Sequence, residues 1–153
     1  MRDPNNAFHV AIPCKDLQET IDFYQSKLGC RLCRKYDDRA TFDFFGDQLV
    51  CHLAPDKIDT DPEPYPRHFG ITFYKESDFN SLVAQLKDQN VKMLNPVFTR
   101  FEDMPERHQT FFLKDPSNNI LEFKFYPNSE MMYLSLIHIS EPTRPERIGG
   151  SGG

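Results

Sequence analysis

The chain has 153 residues, 39% of them hydrophobic and 14 of them Phe, which suits one packed domain and excludes a disordered chain. A formal net charge of -5 and a sequence pI near 5.5 leave no basic footprint, so nucleic acid is not an expected partner. No apolar run reaches membrane-spanning length, residues 1–6 lack the apolar core of a secretory signal, and the four cysteines fit free thiols in a reducing cytoplasm.

Residues 8–13 alternate as a first strand. Asp16 is placed to cap a following helix, with Glu19 as its capping-box partner three residues on. Leu17, Ile21, Tyr24 and Leu28 recur at helical spacing, Phe23 widens that apolar face, and Gly29 ends it by taking positive φ. Strands are predicted at 30–36, 41–45 and 48–54, turned at Asp37-Asp38 and Gly46-Asp47. Cys30 and Cys33 form a C-x-x-C, but on a strand that spacing points the thiols to opposite faces, and no second pair completes a zinc site. The pair is read as structural.

Residues 55–66, rich in Pro and Asp, read as a linker or lid. The pattern then restarts. A strand is predicted at 68–74. A helix follows, carrying Phe79, Leu82, Val83 and Leu86 on one face, capped by Ser77 or Asp78 and ended by Asn90. Further strands are predicted at 91–100, 109–113 and 119–126, the last two joined by the turn Asp115-Pro116-Ser117-Asn118-Asn119. The fold class is therefore α+β: two tandem strand–helix–three-strand modules, at about 7–54 and 67–127, within one domain spanning 1–133.

Each module sets a polar residue into its first and last apolar strands: His9 and His52, then His68 and Glu122. His9 shares its face with Ala11, and His68 with Gly70 and Thr72, leaving room beside the imidazoles. Phe8, Val10 and Ile12, or Phe69, Ile71 and Phe73, carry the opposite faces into the core. A pseudo-two-fold axis between the modules would bring all four polar side chains towards one point. Two imidazoles and a carboxylate make the facial set that non-haem iron and related divalent ions use. The alternative is isolated buried polar residues satisfied by neighbours. His52 is open between fourth ligand, acid/base group and wall of the site. His108, ahead of the seventh strand, is a candidate general acid/base, or else a solvated loop histidine. Arg100 and Arg107 could hold a substrate carboxylate. Phe42, Phe44, Phe111 and Phe112 are divided between core and pocket.

Phe8-His9-Val10-Ala11, then Asp16-Leu17-x-x-Thr20-x-x-Phe23-Tyr24-x-x-x-Leu28-Gly29, then Arg67-His68-Phe69-Gly70, and Asp115-Pro116-x-x-Asn119-x-Leu121-Glu122 together resemble the vicinal oxygen chelate superfamily of glyoxalases, bleomycin-resistance proteins and extradiol dioxygenases. The resemblance covers residues 7–127. It implies two βαβββ modules in a cupped eight-stranded mixed sheet with helices outside, and it puts His9, His68 and Glu122 on the common metal ligands. His52 falls where glyoxalase I enzymes carry a Glu, and the stretch around it is most similar to predicted extradiol-type dioxygenases.

The expected function is a cytoplasmic metal-dependent enzyme, with Fe(II) first and Zn, Ni or Mn as alternatives, chelating vicinal oxygens of a small-molecule substrate. A dioxygenase-like activity is expected, with a glyoxalase-type isomerase or thiol transferase as the second reading and a ligand-sequestering resistance protein as the third. His52 and His108 are its candidate catalytic residues. The superfamily includes members that swap modules across dimers, so a monomer and a homodimer are both open. Residues 134–153 form a separate tail: from Leu134 to Arg144 it resembles a translated sequencing adapter and it ends in a Gly-Ser run, so it is expected to be non-native and disordered, and its His138 is set aside.

Overall fold

Large apolar side chains alternating with small or polar ones set the strands of both modules. The computed structural model describes residues 3–134, so the tail from 135 onward and His138 lie outside the described residues. Module one contains β1 (His9–Cys14), α1 (Leu17–Ile21) continuing into a π-helical turn (Asp22–Lys27), β2 (Arg31–Lys35), β3 (Arg39–Phe44) and β4 (Asp47–Leu53). Module two contains β5 (Phe69–Phe73), α2 (Glu76–Asp88), β6 (Phe98–Arg100), β7 (His108–Lys114) and β8 (Ile120–Phe125). The eight strands form two four-stranded mixed sheets, ordered β1-β4-β3-β2 and β5-β8-β7-β6. In each, the first strand runs parallel to the last, and the remaining pairs are antiparallel. The α+β class and the tandem βαβββ order hold.

The local signals act largely as their chemistry requires. Asp16 caps α1, its carboxylate accepting the Glu19 N–H at 2.8 Å. Gly29, Asn90 and Asn118 take φ of 82°, 57° and 66° at the ends and turns where positive φ was expected. The π-helical turn buries both Phe23 and Tyr24, neighbours that an ordinary helix face would separate by about 100°. Three expectations need correction. α2 begins at Glu76 behind Lys75, which makes no side-chain cap, so neither Ser77 nor Asp78 caps it. The sixth strand is only Phe98–Arg100, since Pro96 lacks the N–H that a longer ladder needs. Phe8 precedes β1 and is 64% exposed instead of entering the core.

One hydrophobic core joins the modules. Phe42, Phe44, Leu49 and Cys51 from one sheet meet Phe111, Leu113, Leu121 and Phe123 from the other, with Tyr24 and Phe79 from the helices. Phe44 lies 5.5 Å from Phe69 and 6.3 Å from Phe123, ring centre to ring centre. By strand alternation, His9 and His52, and likewise Glu122, stand on the sheet faces turned away from this core. Cys30 is buried and Cys33 exposed, as opposite-facing thiols must be, and all four cysteines are free. Burial pushes the Cys30 thiol up to about 12, which keeps it protonated and unreactive.

A buried polar tie fixes the modules to each other. The Tyr24 hydroxyl donates to Asp115 Oδ2 at 2.7 Å, while Asp115 Oδ1 accepts the N–H groups of Ser117 and Asn119. Asn119 Nδ2 donates to the Pro13 carbonyl, tying the Asp-Pro turn of module two to β1. Burial raises the Asp115 carboxyl, and the hydrogen bonds from Tyr24 and Asn119 pull it back down. Tyr24→Phe should therefore cost about 1–3 kcal/mol by leaving a buried acceptor short of a donor. Urea unfolding measures this, and an unchanged midpoint would show that the phenol does not tie the modules.

Candidate metal site

His68 and Glu122 meet because β5 and β8 run parallel with Gly70 opposite Glu122. A Cβ on Gly70 would stand 1.6 Å from the Glu122 carbonyl oxygen, so only glycine permits this backbone approach. His68, two residues ahead of Gly70, places Nε2 at 2.9 Å from Glu122 Oε1. Its other nitrogen, Nδ1, lies 2.6 Å from the Pro64 carbonyl. A carbonyl can only accept, so Nδ1 carries a proton and Nε2 is the nitrogen left for chemistry. Neutral, that nitrogen would aim a lone pair at a carboxylate, an arrangement that calls for a cation, either a proton or a metal ion, to be shared between them. Glu122 is 6% exposed, and its Oε2 accepts the Thr110 hydroxyl at 2.5 Å. An oriented imidazole and an oriented carboxylate, each held by an outer partner, are the supports that metal ligands have.

The other sequence-identified histidines lie elsewhere. β1 runs so that its start, next to the β3–β4 turn, lies towards the far end of β5. Phe8 N donates to Asp47, which shares a groove with Phe73, whereas Pro13 lines the same cavity as His68. His9 is exposed and four residues from Pro13, about 13 Å along the strand. Among the described residues no three His, Cys, Asp or Glu side chains of one chain form a metal-holding group. The register also distinguishes His52 from Glu122. Val50 pairs with Ala11 as Glu122 pairs with Gly70, while His52 stands two residues further on, opposite Pro13, and is exposed.

The rest of the face beside Glu122 is aromatic and polar. Phe112 lies directly across from Glu122 and 5.6 Å from the His68 ring, whereas Phe42, Phe44 and Phe111 belong to the core. Tyr65, from the linker, packs edge-on against His68 at 5.5 Å and accepts a hydrogen bond from Arg100 Nη1 at 2.9 Å. His108 is the first residue of β7 and 5% exposed, so it is not a solvated loop histidine. It stacks on Tyr126 at 4.3 Å, and burial lowers its pKa, favouring the neutral ring. Arg107 is exposed. His68, without Glu122, borders a cavity of about 580 Å³ between β1 and residues 57–67, a size that admits a small molecule. A wider groove of about 910 Å³ along β5 and α2 includes neither His68 nor Glu122. Thr110, Tyr65 and Tyr126 were not singled out from the sequence. The parity of β7 would have found Thr110, and Tyr126, one residue past β8, continues the parity of Glu122; Tyr65 reaches the site through loop placement.

The pair fits a divalent ion. His68 Nε2 and Glu122 Oε1 are two donors of the types that zinc, nickel, manganese and iron accept, and they leave the rest of the coordination sphere to be filled.

A family model described as the Glyoxalase/Bleomycin resistance protein/Dioxygenase superfamily matches residues 7–123. Among solved structures, a glyoxalase/bleomycin resistance protein/dioxygenase from Alicyclobacillus acidocaldarius is 54% identical, covers 87% of this chain and 100% of its own, and superposes with a TM-score of 0.83. The genomically encoded fosfomycin resistance protein FosX from Listeria monocytogenes is 16% identical, with coverage of 83% and 98% and a TM-score of 0.64. Lactoylglutathione lyase from Agrobacterium tumefaciens is likewise 16% identical, with coverage of 81% and 96% and a TM-score of 0.58. The last two likenesses are of fold. Among the described residues no helix is long and apolar enough to cross a membrane.

Proposed function

Because the chain belongs to the glyoxalase/bleomycin resistance protein/dioxygenase superfamily, we propose that it is a metal-dependent enzyme acting on small molecules with two neighbouring oxygens. It works as a homodimer in which His68 and Glu122 of one copy combine with His9 of the partner subunit. The observation that carries this reading is the His68–Glu122 pair, aligned by Pro64 and Thr110 as ligands are. The position of His9 supports the second copy. It stands exposed on β1, an edge strand, while β5, beside His68, is the edge of the other sheet.

When bound, the metal supplies Lewis-acid stabilisation of an enolate- or catecholate-like charge and, if it is Fe(II), a position for dioxygen. The protein supplies the rest. Thr110 and Pro64 hold the two donors still, and Tyr65 and Phe112 shield them from water. His108, kept neutral by burial, can accept a proton, and His52, exposed and paired with the cavity-lining Pro13, is a second acid/base group. Val50 at the position matching Glu122 favours three protein ligands over four, which leaves room for a bidentate substrate and favours a dioxygenase.

Protein loaded anaerobically with Fe(II) should consume oxygen when given a suitable member of a catechol panel. No uptake, together with oxygen-independent turnover of a thiohemiacetal or of a thiol plus epoxide by Zn-, Ni- or Mn-loaded protein, would replace the dioxygenase by an isomerase or thiol transferase.

A further inference from the structure

Arg100, the last residue of β6, carries a guanidinium that the metal reading does not use. Its register partner is His108, which shares a face of β7 with Phe112, the residue opposite Glu122. Arg100 therefore stands on the side of the sheet that carries Glu122. Its backbone is four residues along the ladder from Phe112, and the side chains close that gap. Nη1 donates to the Tyr65 hydroxyl at 2.9 Å, and the Tyr65 ring lies 6.1 Å from that of Phe112 and 5.5 Å from that of His68. Tyr65 and His68 line the same cavity.

The donors gathered here are unspent. Among the described residues Arg100 pairs with no acid, and the Phe101 ring flanks it at 5.3 Å instead. The Tyr65 hydroxyl accepts from Arg100 and donates to no described residue. Arginine has five N–H donors in a planar fork, and a phenol that accepts from it keeps its own proton to give. Side by side, the two groups present donors to both oxygens of one carboxylate, the kind of charge-assisted contact in which arginine is strongest. Tyr65 is 54% exposed and Arg100 half-buried, so a ligand can reach them.

We infer that Arg100 and Tyr65 form an anion-recognition subsite that reads a carboxylate on the substrate, held on an arm that runs the length of the Tyr65 ring from the chelating oxygens. The inference rests on the chelating site proposed above. It adds the substrate class: a molecule with two neighbouring oxygens at one end and a carboxylate at the other.

The test uses full-length protein loaded anaerobically with Co(II), whose visible spectrum reports ligand binding, and two probes of matching shape. Dihydrocaffeate has a catechol head and a carboxylate on a short arm, and its primary amide replaces the charge by a neutral group. Wild type should bind the acid about tenfold more tightly than the amide, the worth of a hydrogen bond to a charged group. Arg100→Gln should bring the two probes to equal affinity, and Tyr65→Phe, which removes one of the two donors, should keep part of the preference. Both variants should bind Co(II) with unchanged stoichiometry. Equal binding of the two probes by wild type, a preference that survives in Arg100→Gln, an undiminished preference in Tyr65→Phe, or loss of Co(II) from Arg100→Gln would each overturn the assignment and leave the bond as a tie between linker and sheet. If neither probe perturbs the Co(II) spectrum, the chelating site itself fails and the subsite falls with it.

Discussion

A His68→Ala protein is expected to lose divalent-metal binding by more than 100-fold, which at micromolar protein leaves it essentially metal-free after desalting. Removing even an outer partner of a ligand commonly costs 10–100-fold in affinity, and among the described residues His68 is one of only two donors that a single chain brings together. Thr110→Val tests the milder case. It leaves Glu122 in place but removes the hydroxyl that holds its Oε2, so affinity should fall within that 10–100-fold range. Glu122→Gln keeps the volume and removes the charge, so the fold should survive while metal binding does not. Elemental analysis of protein purified without chelator checks all three. Full metal content in His68→Ala would remove His68 from the site.

Gly70→Ala should be the most damaging small substitution in module two, destabilising the protein by about 3 kcal/mol or more. The new methyl carbon would meet the Glu122 carbonyl oxygen at 1.6 Å and its carbonyl carbon at 2.7 Å, and backbone atoms in a paired strand cannot swing aside as a side chain can. Relief requires β5 and β8 to part where Glu122 sits, which widens the 2.9 Å approach of His68 to Glu122. Stability and metal affinity should therefore fall together. Urea unfolding and a Co(II) titration measure the two. A Gly70→Ala protein with wild-type values for both would mean that this approach does not govern the site.

Much of the fold is legible because its signals are local. Alternation in β1, β5 and β8, the Asp16 cap, and the turn residues Gly29, Asn90 and Asn118 each depend on a few neighbours. β6 is shorter than its sequence suggests because residues 91–97 carry apolar residues without forming a ladder, and Pro96 marks the break. Phe45 and Phe101 take φ of 54° and 53°, which no pattern of aromatic residues announces. Phe45 is held there by packing against Phe44, Phe73 and Phe123.

The site was legible in part for the same reason. That His68 and Glu122 belong together follows from strand parity and the duplicated module. That Val50, not His52, matches Glu122 depends on the β1–β4 register, which is set along the whole ladder. The separation of His9 from His68 depends on how two sheets share a core, a long-range property of Phe44, Phe69 and Phe123.

The proposed two-copy site has a direct test by mixing two defective proteins. His9→Ala and His68→Ala should each fail to bind metal as homodimers. In a mixed dimer, one site unites the two substitutions and stays dead. The other combines the intact His9 of the His68→Ala copy with the intact His68 and Glu122 of the His9→Ala copy. Co-expressed with two different tags and purified through both, the mixed dimer should therefore hold about one Co(II) per dimer where wild type holds about two, an expectation from ligand counting. A mixed dimer as metal-free as its parents, beside a metal-loaded wild type, would contradict a site built from two copies.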